Sequence, residues 1–143
     1  MKAGTSRFVL DASMAVAWCF EDESTPFTER VLDALTSGAE AISPSIWPFE
    51  VANALLLAER RNRISVAQVT ALLRRIRQLP IAIEPINTDG AFDRIMNAAR
   101  QQQLTAYDAS YLELALRESL PLATLDDKLM RAARSAGVRL LRP

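Results

Sequence analysis

The apolar positions of this chain change their period many times between its ends. Residues 7–10, RFVL, make an apolar run too short for a helix and bounded by polar residues, which reads as a strand. SMAVAWCF (13–20) then carries a helical pattern. STPFTERVLDALTSG (24–38) is a clearer helix, with Ser24 or Thr25 as its cap and Gly38 as its stop. EAISP (40–44) is a short strand. SIWPFEVANALLLAERRNR (45–63) is a long helix with Pro48 in its first turn, where a missing N–H is harmless. SVAQVTALLRRIRQL (65–79) starts at a serine cap and ends before Pro80, and IAIEPI (81–86) is a strand. TDGAFDRIMNAARQQQ (88–103) and AYDASYLELALRES (106–119) are helices, LPLATL (120–125) a strand, DDKLMRAARSAG (126–137) a helix closed by Gly137, and VRLL (138–141) a last strand. Strands alternating with helices predict an α/β domain with a mostly parallel sheet and right-handed crossovers. The 143 residues suffice for one domain with one core, spanning 1–143, and no repeat, low-complexity tract or linker divides them.

Ligands of such sheets bind outside the carboxyl ends of the strands. That rule singles out two acids. RFVL runs into Asp11 and LATL into Asp126, so both belong to the same rim. Two more acids have comparable settings: Glu50, early in SIWPFEVANAL, and Asp108, at the start of YDASYLELA. Each of the four lies at or just after a helix N-terminus, where a carboxylate caps the helix or meets its dipole favourably. Taken singly, Asp11, Asp108 and Asp126 need no explanation beyond capping. Glu50 fits capping less well. It is flanked by Phe49 and Val51, and Asn53 shares its helical face three residues on, which sets an acid and an amide against an apolar surface. Asp127 stands beside Asp126 and is its alternative. Asp89 reads as helix-start chemistry and Asp93 as a solvent-facing charge.

Composition narrows the chemistry. The chain is 50% hydrophobic and 24% charged, with no apolar stretch long enough to span a membrane. Its 17 basic and 17 acidic residues cancel, so any attraction to nucleic acid must be local. ERRNR (59–63) and RRIR (74–77) are the candidates, although a solvated, ion-paired face is the simpler reading for most of these arginines. Trp18, Trp47, Phe20 and Phe49 read as core or as a partner groove. Val16, Trp18 and Phe20, with ALLLA at 54–58, are core or a seat for a partner helix. There is no histidine, which excludes a Ser-His-Asp triad and a His-ligated zinc site. The single Cys19 excludes an intrachain disulfide and a cysteine zinc site; it reads as a small core residue. The start lacks a signal-peptide pattern, and a reducing cytoplasm fits. Carboxylates and hydroxyls must therefore carry any chemistry. Two carboxylates about 5 Å apart repel by roughly 3 kcal/mol at an effective dielectric near 20. If the four converge, they must take up protons or a hard cation, Mg²⁺ or Mn²⁺, held by oxygens.

The blocks FVLDASMAVAW, PFEVANAL, AYDASYLELA and LATLDDKL, in this order and spacing, resemble the PIN-domain family and in particular the VapC-like toxin ribonucleases of toxin–antitoxin pairs. The resemblance runs from Phe8 to about Gly137. It implies a three-layer α/β/α sandwich around a parallel sheet and an acidic quartet of Asp11, Glu50, Asp108 and Asp126. Ser13, Asn53 and Thr124 match the family's polar residues beside those acids. The implied activity is Mg²⁺- or Mn²⁺-dependent endoribonuclease cleavage. The implied partners are an RNA substrate, a second copy in a homodimer and a small cognate antitoxin whose arm covers the active-site groove. The competing expectation is a non-catalytic PIN-like module that binds protein or RNA and keeps its acids as caps. A nucleotide-binding domain is disfavoured, since no glycine-rich phosphate loop is present.

Overall fold

Strand β1 (Arg7–Leu10) lies inside the sheet, and Phe8, Val9 and Leu10 are fully buried. A strand covered on both faces needs such a continuous apolar run. The computed structural model describes residues 6–142; residues 1–5 and 143 of the expected domain span lie outside the described residues. The remaining strands are β2 (Glu40–Ser43), β3 (Ile81–Ile83) and β4 (Leu122–Ala123), in the spatial order β3-β2-β1-β4 with every pairing parallel. Among the described residues six α-helices join them and a seventh follows β4: α1 (Ala12–Cys19), α2 (Pro26–Thr36), α3 (Trp47–Arg60), α4 (Val66–Arg77), α5 (Ala91–Gln102), α6 (Ala106–Glu118) and α7 (Asp127–Ser135). The α/β class and the parallel sheet are as the alternating pattern predicts.

Local chemistry sets the helix ends. Thr25 and Thr28 form a reciprocal capping box that starts α2, with Pro26 in the first helical position, so Thr25 rather than Ser24 is the cap. Ser65 and Gln68 do the same for α4. Helices α5 and α6 are tied by the buried Glu113, which accepts from Arg94 Nε at 2.9 Å and Arg117 Nε at 2.8 Å, and Arg117 also reaches Glu84 beyond β3.

Several expectations change in the structure. The predicted last strand, VRLL, contributes an isolated parallel bridge between Leu140 and Leu122, because β4 is itself two residues long and offers little edge to extend. The third strand stops at Ile83, short of Pro85, which has no N–H to continue a ladder. Asp89 does not start α5. Its N–H is taken by Asn87 Oδ1, and Gly90, at φ 78°, precedes the first helical residue. Phe49 is 73% exposed and so is neither core nor covered within the chain, whereas Phe20 and Trp47 are buried and Trp18 donates its indole N–H to Thr28 O. Cys19 is only partly buried but packs against the core.

The strand order has a functional consequence. The chain builds outward from β1 through β2 to β3, then returns to place β4 on the other side of β1. The switch point therefore lies between the carboxyl ends of β1 and β4, where an open parallel sheet leaves a crevice. Replacing Leu10 by Ala at this central strand is expected to destabilise the protein by about 3 kcal/mol. Val66→Ala, on the exposed face of α4, should change stability by less than about 0.5 kcal/mol. Urea unfolding of the two variants checks the contrast.

Candidate carboxylate site

Asp11 leaves β1 at the switch point and occupies the N-cap position of α1, yet its side chain makes no capping hydrogen bond. It is 6% exposed. Its Oδ2 accepts two hydroxyls instead: Ser13 Oγ at 2.6 Å and Thr124 Oγ1 at 2.7 Å. Each hydroxyl in turn accepts a backbone N–H of the segment after β4, Ser13 from Leu125 and Thr124 from Asp126, both at 3.0 Å. The first and last acid-bearing segments are thereby joined across more than a hundred residues of chain.

The other acids arrive from three helices. Asp126 is the cap of α7, its Oδ1 accepting from Leu129 N at 2.9 Å, and Asp127 follows as the first helical residue, exposed. Asp108 stands in the first turn of α6, where Thr105 is the cap. Glu50 stands in the first turn of α3 and accepts Tyr111 Oη–H on Oε1 at 2.5 Å. Of the three acids for which capping was a sufficient account, Asp126 alone caps.

The charges feel one another. Burial, first of all, raises the pKa of Asp11, and Asp126 raises it further against the lowering effect of the Ser13 and Thr124 hydroxyls. Glu50 is raised by burial and by Asp11 and Asp108, and lowered by Tyr111. Asp108 is raised by burial, then by Asp126 and Asp11, with Lys128 opposing. The structure thus brings Asp11, Glu50, Asp108 and Asp126 into one electrostatic neighbourhood. Among the described residues, no three acids are grouped closely enough to enclose an ion by themselves. A hard cation such as Mg²⁺ takes one or two carboxylates directly and keeps several waters. The donor set, all oxygen, fits the same ion.

Beside the acids runs a cleft of about 490 Å³ lined by Ala12, Ser13, Val16, Ala17, Glu23, Glu50 and Leu125. Ser13 and Thr124, which the resemblance matches to polar residues beside the acids, both donate to Asp11. Asn53 does not lie against an apolar surface as expected; it is exposed on α3, because the helix buries Val51 and Leu55 instead. Arg63 is not free for phosphate either. It pairs with Asp22 at 2.7 Å and Glu23 at 3.5 Å, and lies over the Phe20 ring. Arg60, Arg61, Arg74, Arg75 and Arg77 are exposed. The residue that sequence reasoning missed is Tyr111. Its signal was the i, i+3 spacing from Asp108, which puts both on one face of α6.

A wholly parallel α/β domain with a histidine-free cluster of acids at its switch point defines a narrow class. The chain belongs to the PIN-domain family, whose profile, described as PIN domain, matches residues 8–135. It is 34% identical over 96 residues to Ribonuclease VapC3 of Mycobacterium tuberculosis, a match covering 66% of this chain and 66% of that protein, just under two thirds of each. Its fold is similar to that of PAE2754 from Pyrobaculum aerophilum (TM-score 0.70, 22% identity, 92% of this chain and 87% of the other). It is also similar to that of VapC20 from Mycobacterium tuberculosis, a Sarcin-Ricin loop cleaving toxin (TM-score 0.67, 14% identity, 95% and 99%).

The raised carboxyl groups give a stability prediction. Above the ordinary Asp value of 3.8, the unfolded chain loses its protons before Asp11 does in the folded state. The folded state then holds more protons, and stability falls as pH rises through the raised value. In EDTA, Asp11→Asn should therefore gain stability relative to wild type as pH rises from about 4 to about 7.5. Thermal melts of both proteins over that range measure the difference, and Mn²⁺ should shrink it by stabilising wild type alone.

Proposed function

We propose that this protein is a Mg²⁺- or Mn²⁺-dependent endoribonuclease, the toxin of a toxin–antitoxin pair. The observation that carries this reading is Asp11: a buried carboxylate, repelled by Asp126, that declines the helix cap beside it and is held by two hydroxyls, one of them from Ser13, which lines the cleft together with Glu50. A buried charge without a cationic partner is unfavourable unless something positive binds. Similarity to Ribonuclease VapC3 supports the substrate class. The reading of these acids as mere caps fits Asp126 but not Asp11 or Glu50.

In this scheme Asp11, Asp108 and Asp126 would hold the metal, directly or through water, and Glu50 would ligate it or take the proton of the attacking water. Ser13 and Thr124 orient Asp11 from behind. Asn53, exposed, contributes at most to the RNA side of the cleft. When bound, the divalent ion polarises the phosphoryl oxygen and makes water a competent nucleophile near neutral pH. Water's oxygen bonds to phosphorus as its proton passes to Glu50 or solvent, the bond from phosphorus to the 3′ oxygen breaks, and that oxygen takes a proton from solvent, leaving a 5′ phosphate and a 3′ hydroxyl. The nucleophile is water, so the substrate's 2′-OH takes no part in bond making. The exposed arginines at the ends of α3 and α4 supply phosphate contacts. A small antitoxin and a second copy of the chain are the proposed protein partners, and exposed Phe49, Leu56 and Leu57 give α3 apolar surface for assembly. No helix among the described residues is long and apolar enough to cross a membrane, and a cytoplasmic site of action is proposed.

Cleavage of an RNA oligonucleotide should require Mn²⁺ or Mg²⁺ and vanish in EDTA. Asp11→Asn and Asp108→Asn should abolish it, and Glu50→Gln should lower it by about 100-fold or more. Asp127→Asn should leave it within about 3-fold of wild type, since Asp126 is the acid at the site. Undiminished cleavage by Asp11→Asn would refute the scheme.

A further inference from the structure

Tyr111 is fully buried, and its ring fills the core beneath the site. Its hydroxyl donates to Glu50 Oε1 at 2.5 Å, a contact between residues 61 apart in the chain. That length belongs to a charge-assisted O–H···O⁻ bond. The two helices involved do not otherwise pack extensively: α3 rests on α1 and α4, and α6 on α5, α7, β1 and β4. The bond is therefore not a by-product of a helix pair that forces the two side chains together. Phenylalanine would fill the same space without burying a hydroxyl, whose loss of solvation is unfavourable unless a partner is found.

The same arrangement recurs around the site. Asp11 has Oδ2 occupied by hydroxyls and Asp126 has Oδ1 occupied by Leu129 N–H, so in each a named oxygen is held by the protein. Glu50 follows suit, with Oε1 held and Oε2 not. We infer that Tyr111 is a positioning residue, whose hydroxyl fixes Oε1 of Glu50 so that Oε2 alone is presented to the cleft. This rests on the nuclease reading above and adds that Glu50 acts through one oxygen, set by a residue of α6.

The test compares wild type, Tyr111→Phe, Glu50→Gln and the double variant. Each is measured for kcat and KM on an RNA oligonucleotide and for Mn²⁺ affinity by calorimetry without RNA. Tyr111→Phe should lower kcat by about 10- to 100-fold with KM nearly unchanged, and weaken Mn²⁺ binding by about 10-fold. In the Glu50→Gln background it should lower kcat no further than about 2-fold, because the residue acts through Glu50. Equal losses in both backgrounds, or a Tyr111→Phe protein with wild-type kcat and Mn²⁺ affinity, would overturn the inference while leaving the nuclease reading intact. A wild-type protein that neither cleaves RNA nor binds Mn²⁺ would overturn both. Should Tyr111→Phe fail to fold, 3-fluorotyrosine in a Tyr107→Phe background reports Tyr111 by a single fluorine resonance, since the chain has two tyrosines. Mg²⁺ should shift that resonance when Glu50 is present and leave it in place in Glu50→Gln; indifference to Mg²⁺ in both would sink the proposal.

Discussion

The site depends on how Asp11 Oδ2 is held. Ser13 and Thr124 both donate to that single oxygen, and each spends its own acceptor capacity on a backbone N–H from the segment that follows β4. Each hydroxyl has one proton to donate and an ionised carboxylate can only accept, so both protons go to Asp11 while the hydroxyls accept the Leu125 and Asp126 N–H groups. The result is a closed circuit in which the end of β1 and the end of β4 are bonded through side chains, beyond the point where the ladder between the strands stops. Two of the four acids are thus located relative to one another by five residues of local structure. A strand only two residues long could not fix that spacing by backbone pairing alone.

The circuit also explains why a buried carboxylate is tolerated here. Burial and Asp126 both disfavour the charge, and the hydroxyls only partly offset them. Asp11 could have relieved its situation by capping α1, as Asp126 caps α7, but its side chain is turned to the hydroxyls. A local preference of about 1 kcal/mol has been given up. Sites that break a local rule in this way are where function is expected to be found. The same logic separates Asp126 from Asp127: Asp126 caps and faces Asp108 and Asp11, while Asp127 sits exposed on the helix and meets only its dipole.

Much of this was legible in the sequence, and the limits have physical causes. Apolar runs ending in Asp11 and Asp126 mark strand ends, and strand ends in a parallel sheet share a rim, so periodicity and one topological rule bring those two acids together. Glu50 and Asp108 lie on helices whose placement depends on packing between distant segments, which no local pattern encodes; motif resemblance supplied them instead. The misreadings follow the same division. The spacing of Asn53 from Glu50 predicts an amide against an apolar surface, but the helix buries Val51 and Leu55 and leaves Asn53 exposed. Asp89 is a favoured cap type, yet a glycine with positive φ and an Asn87 side chain took over the start of α5. The last strand has the right composition but little partner edge to pair with.

A chain without histidine has few ways to shape reactivity near neutral pH. Its remaining means are the burial of carboxylates, the distances between them and the donors that hold them. All three act here, and they act unevenly. Asp11 is the most deeply buried and the most heavily bonded of the four acids. Asp126 is engaged by its own helix, Glu50 by a phenol, and Asp108 stands in the first turn of its helix with its backbone N–H donating to the Thr105 cap. The two acids at the switch point are set by bonds close in space to the sheet, whereas the two on α3 and α6 are set by the helices that carry them. Shifts of those helices would therefore move Glu50 and Asp108 relative to a fixed Asp11–Asp126 pair. The hydrogen bond from Tyr111 to Glu50 links α3 to α6 at the site, so it ties the position of Glu50 to the helix that also carries Asp108.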